Sequence, residues 1–162
     1  MDWLPEIIRL SDHGGDFGTY VQAVYRVFRR DFVTSQPVFR SQRCFCDCRV
    51  DAVDGRESGF WHIVTAGEVE ADRLPDMRRC ERIAWPRAII EAADSPLVCV
   101  WESDRKRAGK GRQSRISLSP ADFSYLVVLR KTSKAYVLVT AYFLERQHQR
   151  DKKRREYEEA VK

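Results

Sequence analysis

The sequence predicts an α+β domain in which a mainly antiparallel β-sheet packs against N-terminal helices. The sheet is indicated by two apolar, β-branched runs at 125–131 and 135–140, which a short polar turn joins. Both runs are too continuously apolar for a hairpin with one face in water, so we expect the central hairpin of the sheet. The helices are indicated by an aromatic stripe at helical spacing across 17–32.

Length and composition set the number of domains and the class of protein. With 162 residues, of which 43% are apolar and 33% charged, the chain is long enough for one domain with its own core. We expect a single domain over 1–162, with N-terminal helices at 1–35, an α+β core at 36–144 and a charged C-terminal helix at 145–162. No signal-peptide pattern and no apolar run of membrane-spanning length is visible, which favours a cytoplasmic protein that does not contact a membrane.

The N-terminal segment predicts two helices that serve as a scaffold. Apolar residues at helical spacing follow Pro5, and 12–15 forms the turn that ends this first helix. The second helix, 17–32, presents its aromatic stripe to one side, and we expect that side to pack on the sheet.

The segment 38–53 alternates with a period of two and predicts a strand with Cys44, Cys46 and Cys48 on one face. A C-x-C-x-C pattern lacks the C-x-x-C knuckle and the paired ligands of a zinc site. We therefore expect no metal and no cofactor. Five cysteines, an odd number, favour reduced thiols over a disulfide framework.

The next predicted strand, 60–64, contains His62. A histidine at this place is either a rim residue bonded to a carbonyl or a group that titrates near neutral pH in a site. It is one of three histidines in the chain and the only one in a predicted strand, which favours a functional role.

The segment 74–93 predicts two helical pieces that separate at Trp85-Pro86. Arg78, Arg79 and Arg82 alternate with apolar residues in the first piece, so at least one arginine lies near the apolar face. Such an arginine forms a structural ion pair or reaches into a site, and the spacing does not decide between the two.

Two further strands, 97–103 and 115–119, flank a loop at 104–115 that holds the whole charge excess of the chain. The loop has six basic residues against one acidic residue, and the chain has a formal net charge of +5. This concentration favours a polyanionic partner, with a solvated loop as the alternative. The basic residues are Arg105, Lys106, Arg107, Lys110, Arg112 and Arg115.

The second central strand ends on Thr140 and Tyr142, where hydroxyl groups appear as the strand leaves the core. A strand end of this kind presents donors rigidly to an anionic ligand. The helix that follows is rich in charges at i,i+4 spacing, which is typical of a solvated helix as well as of a phosphate-binding one.

Four segments carry a further signal when they are taken in order: GFWHIVT at 59–65, RRCERIAWPRAII at 78–90, YLVVL at 125–129 and VLVTAY at 137–142. Together they resemble the barnase–EndoU–colicin–RelE (BECR) ribonuclease superfamily, in its phage- and toxin-associated branches. The resemblance implies a BECR-like fold and a metal-independent endoribonuclease that an antitoxin or immunity protein often restrains. It also implies that His62, an arginine of the broken helix, Thr140 and Tyr142 form the catalytic site.

The chemistry of these residue types fits RNA cleavage by 2′-hydroxyl attack, which leaves a 2′,3′-cyclic phosphate. His62 is expected as general base, Arg82 as the phosphate clamp with Arg79 second, and Thr140 as a donor to the phosphate. Tyr142 either positions the phosphate, stacks on a base or serves as the acid. Two alternatives remain open. One is a non-catalytic RNA-binding module that uses the basic loop 104–115, and the other is a protein-interaction or phage accessory domain.

Overall fold

A six-stranded, mainly antiparallel sheet is the centre of the fold. The computed structural model describes residues 2–50, 54–67, 73–107 and 110–162, and for 104–107 and 110–113 it describes the backbone alone. Across the sheet the strand order is β1-β2-β8-β7-β6-β5. These strands are β1 Val38–Phe39, β2 Gln42–Phe45, β5 Val98–Arg107, β6 Lys110–Pro120, β7 Tyr125–Lys131 and β8 Tyr136–Phe143.

Five α-helices and a small hairpin complete the described part of the chain. The helices are α1 Phe17–Phe28, α2 Ser58–Val64, α3 Met77–Glu81, α4 Trp85–Glu91 and α5 Gln147–Ala160. The hairpin pairs β3 Thr65–Ala66 with β4 Leu74–Pro75. The predicted α+β class with a mainly antiparallel sheet is therefore confirmed.

Strands β5 to β8 form an antiparallel meander, and β7 pairs with β8 as predicted from their apolar runs. Val128 lies opposite Thr140, but the next pair joins Leu129 to Leu138, so Val139 is an extra residue that forms a β-bulge. A bulge turns the side chains of a strand relative to its partner. This one lies directly before Thr140.

The other side of β8 pairs with β2, and this pair is parallel. Cys44 lies opposite Tyr136, and Phe45 lies opposite Val137. Because β1 and β2 extend the sheet from β8, the β7–β8 hairpin lies inside the sheet, as its apolar sequence requires.

The sheet separates two apolar clusters. On one face α1 to α4 enclose the main core, which includes Phe28, Phe60 and Ile89 together with Leu118 and Val127 of the sheet. Rings of α1 contact Phe60 of α2, with centroid distances of 5.5 Å from Phe28 and 5.1 Å from Tyr25.

The second cluster lies under α5. Tyr157 packs on Trp101 at 5.9 Å and on Phe123 at 6.0 Å between ring centroids. The charged helix is separate from the main core, as expected, but one aromatic residue anchors it to the sheet.

The predicted strand at 60–64 is wrong, because these residues belong to α2. Phe60, Ile63 and Val64 are buried and stand at i, i+3 and i+4, which is helical spacing. In so short an apolar run the helical and the alternating pattern overlap, and the strand begins only at Thr65.

The predicted strand at 38–53 is two short strands. Arg40 and Ser41 adopt positive φ values of 48° and 65°, which makes the tight turn between β1 and β2. The chain leaves the sheet after Phe45, and residues 51–53 lie outside the described part.

The first predicted helix is also wrong. Only a short 3-10 helix, Leu10–His13, forms, because the N–H of Ile8 donates to the carbonyl of Glu81 at 2.9 Å instead of to its own segment. The second predicted helix, 17–32, is confirmed over the length of α1, after which the chain continues as a π-helical segment, Arg29–Thr34. In 74–93 two helical pieces form as predicted, but the break lies at 82–84 instead of at Trp85-Pro86, and Trp85 is the first residue of α4. The first residues of that segment form β4.

The basic segment is not a loop through most of its length. Strand β5 continues to Arg107 and β6 begins at Lys110, with Arg105 opposite Gln113. The predicted strands at 97–103 and 115–119 were too short, because charged side chains do not prevent the backbone hydrogen bonding of a two-stranded ribbon. The side chains of Arg105, Lys106, Arg107, Lys110 and Arg112 lie outside the described part.

None of the helices in the described ranges combines the length and the apolarity needed to cross a lipid bilayer.

Candidate functional site

His62 lies in the last turn of α2, and its side chain is exposed. The helix is held from both sides: Phe60 inserts into the main core, and the N–H of Gly59 donates to the carbonyl of Asp47 at 2.8 Å. The imidazole is therefore carried on a fixed backbone while it remains accessible to a ligand.

Arg79 comes from the first turn of α3, which Asp76 caps. The Asp76 carboxylate accepts hydrogen bonds from the backbone N–H groups of Arg78 at 2.9 Å and Arg79 at 3.2 Å. The Arg79 side chain is only 18% exposed, and its guanidinium lies over the ring of Tyr142, 5.3 Å from the centroid. Burial lowers the pKa of Arg79, but a guanidinium stays charged at neutral pH.

These elements meet in a cleft of about 330 Å³, which we call the arginine cleft. His62 lies on its rim, and Thr140 follows the β8 bulge into it. Arg73, Arg79 and Arg115 supply positive charge. The remaining lining residues are Thr65, Ala66, Gly67 and Val139, so none of the described residues that line the arginine cleft is a carboxylate.

The chemistry of the arginine cleft favours an oxyanion. Guanidinium groups bind phosphate through two parallel hydrogen bonds, and the hydroxyl of Thr140 offers a further donor. An imidazole at the rim adds a group that exchanges protons near neutral pH. The cleft can therefore bind a phosphate and hold a proton acceptor beside it.

Arg82 does not line this cleft. Its guanidinium lies 4.3 Å from the ring centroid of Phe143 and 5.1 Å from that of Trp85. It donates to the carboxylate of Glu81 at 3.0 Å and to the carbonyl of Arg78 at 3.2 Å. These contacts give Arg82 a packing role.

Tyr142 lies next to the arginine cleft rather than in it. Through its contact with Arg79 it joins the cleft to a neighbouring depression lined by Asp76, Arg78 and Glu145, in which Arg78 and Glu145 form an ion pair. The structure thus brings His62, Arg79, Thr140 and Arg115 together and places Tyr142 beside them.

Two residues join the site that the sequence did not indicate. The first is Arg73, which directly precedes β4 and donates from its Nε to the carbonyl of Gly67 at 3.2 Å. The second is Asp47, whose carbonyl accepts the hydrogen bond from the N–H of Gly59. Hydrogen bonds from Arg49 lower the pKa of the Asp47 carboxyl, and the charge of His62 acts in the same direction. Asp47 therefore lies within electrostatic reach of the imidazole.

The other two histidines lie elsewhere. The ring of His13 packs against Tyr20 at 5.9 Å, and His148 is exposed on α5. His62 is the imidazole that lines the arginine cleft.

The cysteines form no disulfide in this structure, and the sulfur atoms of Cys46 and Cys48 are 3.4 Å apart. Within the described residues, no three His, Cys, Asp or Glu side chains are grouped so that they would hold a metal ion. Comparison with protein-family models, curated proteins and solved structures found no match to this chain.

Proposed function

We propose that the protein is a metal-independent endoribonuclease whose active site is the arginine cleft. The observation that carries the proposal is the set of groups that the cleft brings together: the imidazole of His62, the strand-end hydroxyl of Thr140 and the guanidinium groups of Arg73, Arg79 and Arg115. An RNA phosphodiester fits this set of groups, because the neighbouring ribose carries a 2′-hydroxyl whose proton an adjacent imidazole can accept.

In the proposed reaction His62 takes the proton of the 2′-hydroxyl. The 2′-oxygen bonds to phosphorus, the bond from phosphorus to the 5′-oxygen breaks, and the leaving oxygen takes up a proton from water. His62 then releases the proton that it accepted to the solvent. The products are a 2′,3′-cyclic phosphate and a 5′-hydroxyl. Arg79 and Arg115 stabilise the charge that develops on the phosphate oxygens, and Thr140 donates to one of them.

Asp47 has a positioning role in this scheme. Its carboxylate lies within electrostatic reach of the positive charge that His62 carries after it has accepted the proton. The carboxylate is ionised at neutral pH, because its pKa lies below the ordinary value of an aspartate.

The test is cleavage of a labelled single-stranded oligoribonucleotide in excess EDTA by wild-type protein, His62→Ala and the matched control His148→Ala. Loss of a general base lowers rates by about 10²–10⁴-fold, so His62→Ala is expected to be nearly inactive and His148→Ala to equal the wild type. The new ends should be cyclic phosphates. A single 2′-deoxy substitution at the cut position should block cleavage.

Equal cleavage by wild type and His62→Ala, or cleavage of the 2′-deoxy substrate, would contradict the mechanism. Binding of RNA without cleavage by any of the three proteins would favour the alternative of a non-catalytic RNA-binding module. The basic β5–β6 ribbon is the feature that supports this second function.

A further inference from the structure

A second concavity lies between α5 and the outer face of the sheet, and we call it the α5 groove. Its volume is about 400 Å³, which is within the range of small-ligand sites. One wall is α5, which Tyr157 anchors on Trp101 and Phe123. Arg150 fixes the start of the same helix by donating from its Nε to the carbonyl of Leu144 at 2.8 Å. The groove is thus held open by side chains outside it.

The α5 groove adjoins the arginine cleft. Arg115, Val139 and Thr140 line both. A phosphate bound by Arg115 and Thr140 would therefore stand beside the groove, within reach of the next unit of the same polymer.

The lining of the groove combines three kinds of surface. Leu126, Val128 and Val139 contribute apolar side chains. Ser117 and Tyr142 contribute hydroxyl groups, and the helix contributes Lys152 and Lys153. Among the described lining residues the one carboxylate is that of Glu156, which accepts a hydrogen bond from Lys153 at 2.8 Å. The charge presented to a ligand is therefore positive.

We propose, on the basis of the function proposed above, that the α5 groove binds one nucleotide of single-stranded RNA next to the phosphate held in the arginine cleft. An unpaired base finds an apolar surface, ribose hydroxyls find hydrogen-bonding partners, and the following phosphate meets the two lysines. A duplex does not fit, because its bases are stacked and paired while the groove is closed on one side by α5. The substrate class is therefore single-stranded RNA that extends beyond the cut.

The test uses the non-cleaving His62→Ala protein, so that binding is separated from cleavage. Fluorescence anisotropy compares a short labelled single-stranded RNA, the same strand in a duplex, and the strand with one abasic nucleotide beside the cut position. We expect the duplex to bind more weakly and the abasic strand to lose roughly tenfold in affinity, since stacking of one base is lost.

The double variant Lys152→Ala/Lys153→Ala is then compared with the control double variant Arg155→Ala/Lys162→Ala. The two control residues are exposed, belong to the C-terminal segment and do not line the groove. The first pair should weaken binding about tenfold and reduce the slope of log K against log salt by about 0.7 for each lost phosphate contact. The control pair should change both much less.

Three results would each overturn the proposal. The lysine pair and the control pair could have equal effects, the abasic strand could bind as well as the intact one, or a poly-glutamate peptide could bind tightly in competition with RNA. The outcome is separable from the proposed function. If the wild type cleaves RNA and the groove variants bind RNA as the wild type does, only the role of the groove is rejected. If the groove variants weaken binding and the wild type does not cleave RNA, the nuclease proposal is rejected and the groove is retained.

Discussion

Arg79 and Arg82 are three residues apart, and their surroundings give them different tasks. Both side chains are mostly covered, at 18% and 14% exposed. Arg79 is covered by Tyr142 at the wall of the arginine cleft, whereas Arg82 is covered by Trp85, Phe143 and its ion pair with Glu81. The helix ends at Glu81, and Arg82 departs from helical geometry with φ −106° and ψ 24°. This break turns Arg82 away from the stripe that Arg79 occupies.

We expect Arg79→Ala to reduce RNA cleavage by about 10²–10³-fold, because one donor to the phosphate is removed. Arg82→Ala is the matched control, and it should instead destabilise the fold by about 1–2 kcal/mol through lost packing and cation–π contact. Single-turnover cleavage and urea unfolding of both variants measure the two effects. A larger loss of cleavage in folded Arg82→Ala than in Arg79→Ala would contradict this assignment.

The sequence predicted Thr140 and the arginine group by residue type and position. It predicted His62 because this is the only histidine in a predicted strand, but that segment is helix α2. It gave no means to choose among the arginines, since the choice depends on where α3 ends. Arg73 and Asp47 had no local signal. They belong to the site only because β3–β4 and the segment after β2 fold against α2.

At the scale of elements, the position of α2 depends on one glycine. A Cβ on Gly59 would lie 2.8 Å from the carbonyl oxygen of Asp47 and 3.1 Å from the Cβ of Cys46. The first distance is shorter than real Cβ contacts and the second is unusually tight, so glycine lets the start of α2 approach the segment after β2. The same approach brings Asp47 near His62.

Gly59→Ala should therefore lower the free energy of unfolding by about 1–3 kcal/mol and reduce cleavage as α2 moves away. Gly18→Ala in α1 is the control, because its nearest neighbour, Asp16 Oδ1, would be 3.5 Å away. It should leave the stability unchanged or raise it by up to about 1 kcal/mol. Urea unfolding measures both, and equal midpoints for the two variants would show that the approach at Gly59 imposes no constraint.

Elements with long, one-sided patterns were predicted well, and short ones were not. The stripe of α1 repeats over several helical turns. The apolar runs of β7 and β8 each extend over several residue pairs of the sheet. In α2 the pattern covers too few residues to separate a period of two from one of 3.6. The bulge at Val139 has no sequence signal either, because it is defined by the partner strand.

At the scale of the whole molecule, the buried thiols make stability depend on pH. Burial raises the pKa of Cys44 to about 12 and that of Cys80 to about 12, from an ordinary value of 9.0. Above pH 9 the unfolded chain loses these protons while the folded chain retains them. Ionisation therefore favours the unfolded state, and the stabilising contribution present below pH 9 is lost as the pH rises toward 12.

We expect the free energy of unfolding to fall between pH 9 and pH 12, by up to ~1.4 kcal/mol per pH unit for each of these thiols. The variant Cys44→Ala/Cys80→Ala should show a shallower slope, although its stability near pH 7 is lower because of the cavities. Urea midpoints as a function of pH measure the slope. The same slope in both proteins would mean that the thiols do not titrate as their burial requires.

The parallel pair between β2 and β8 has a consequence for how the chain folds. Strands β5 to β8 follow one another and can pair through short turns, but β2 reaches β8 only across roughly ninety intervening residues, with a correspondingly larger loop-closure entropy. The meander is therefore expected to form first, with the edge of β8 open until β1 and β2 arrive. Until then the edge of β8 offers unpaired backbone groups to any other chain, so newly synthesised protein is most exposed to strand-to-strand aggregation along this strand, which also carries Thr140 of the arginine cleft.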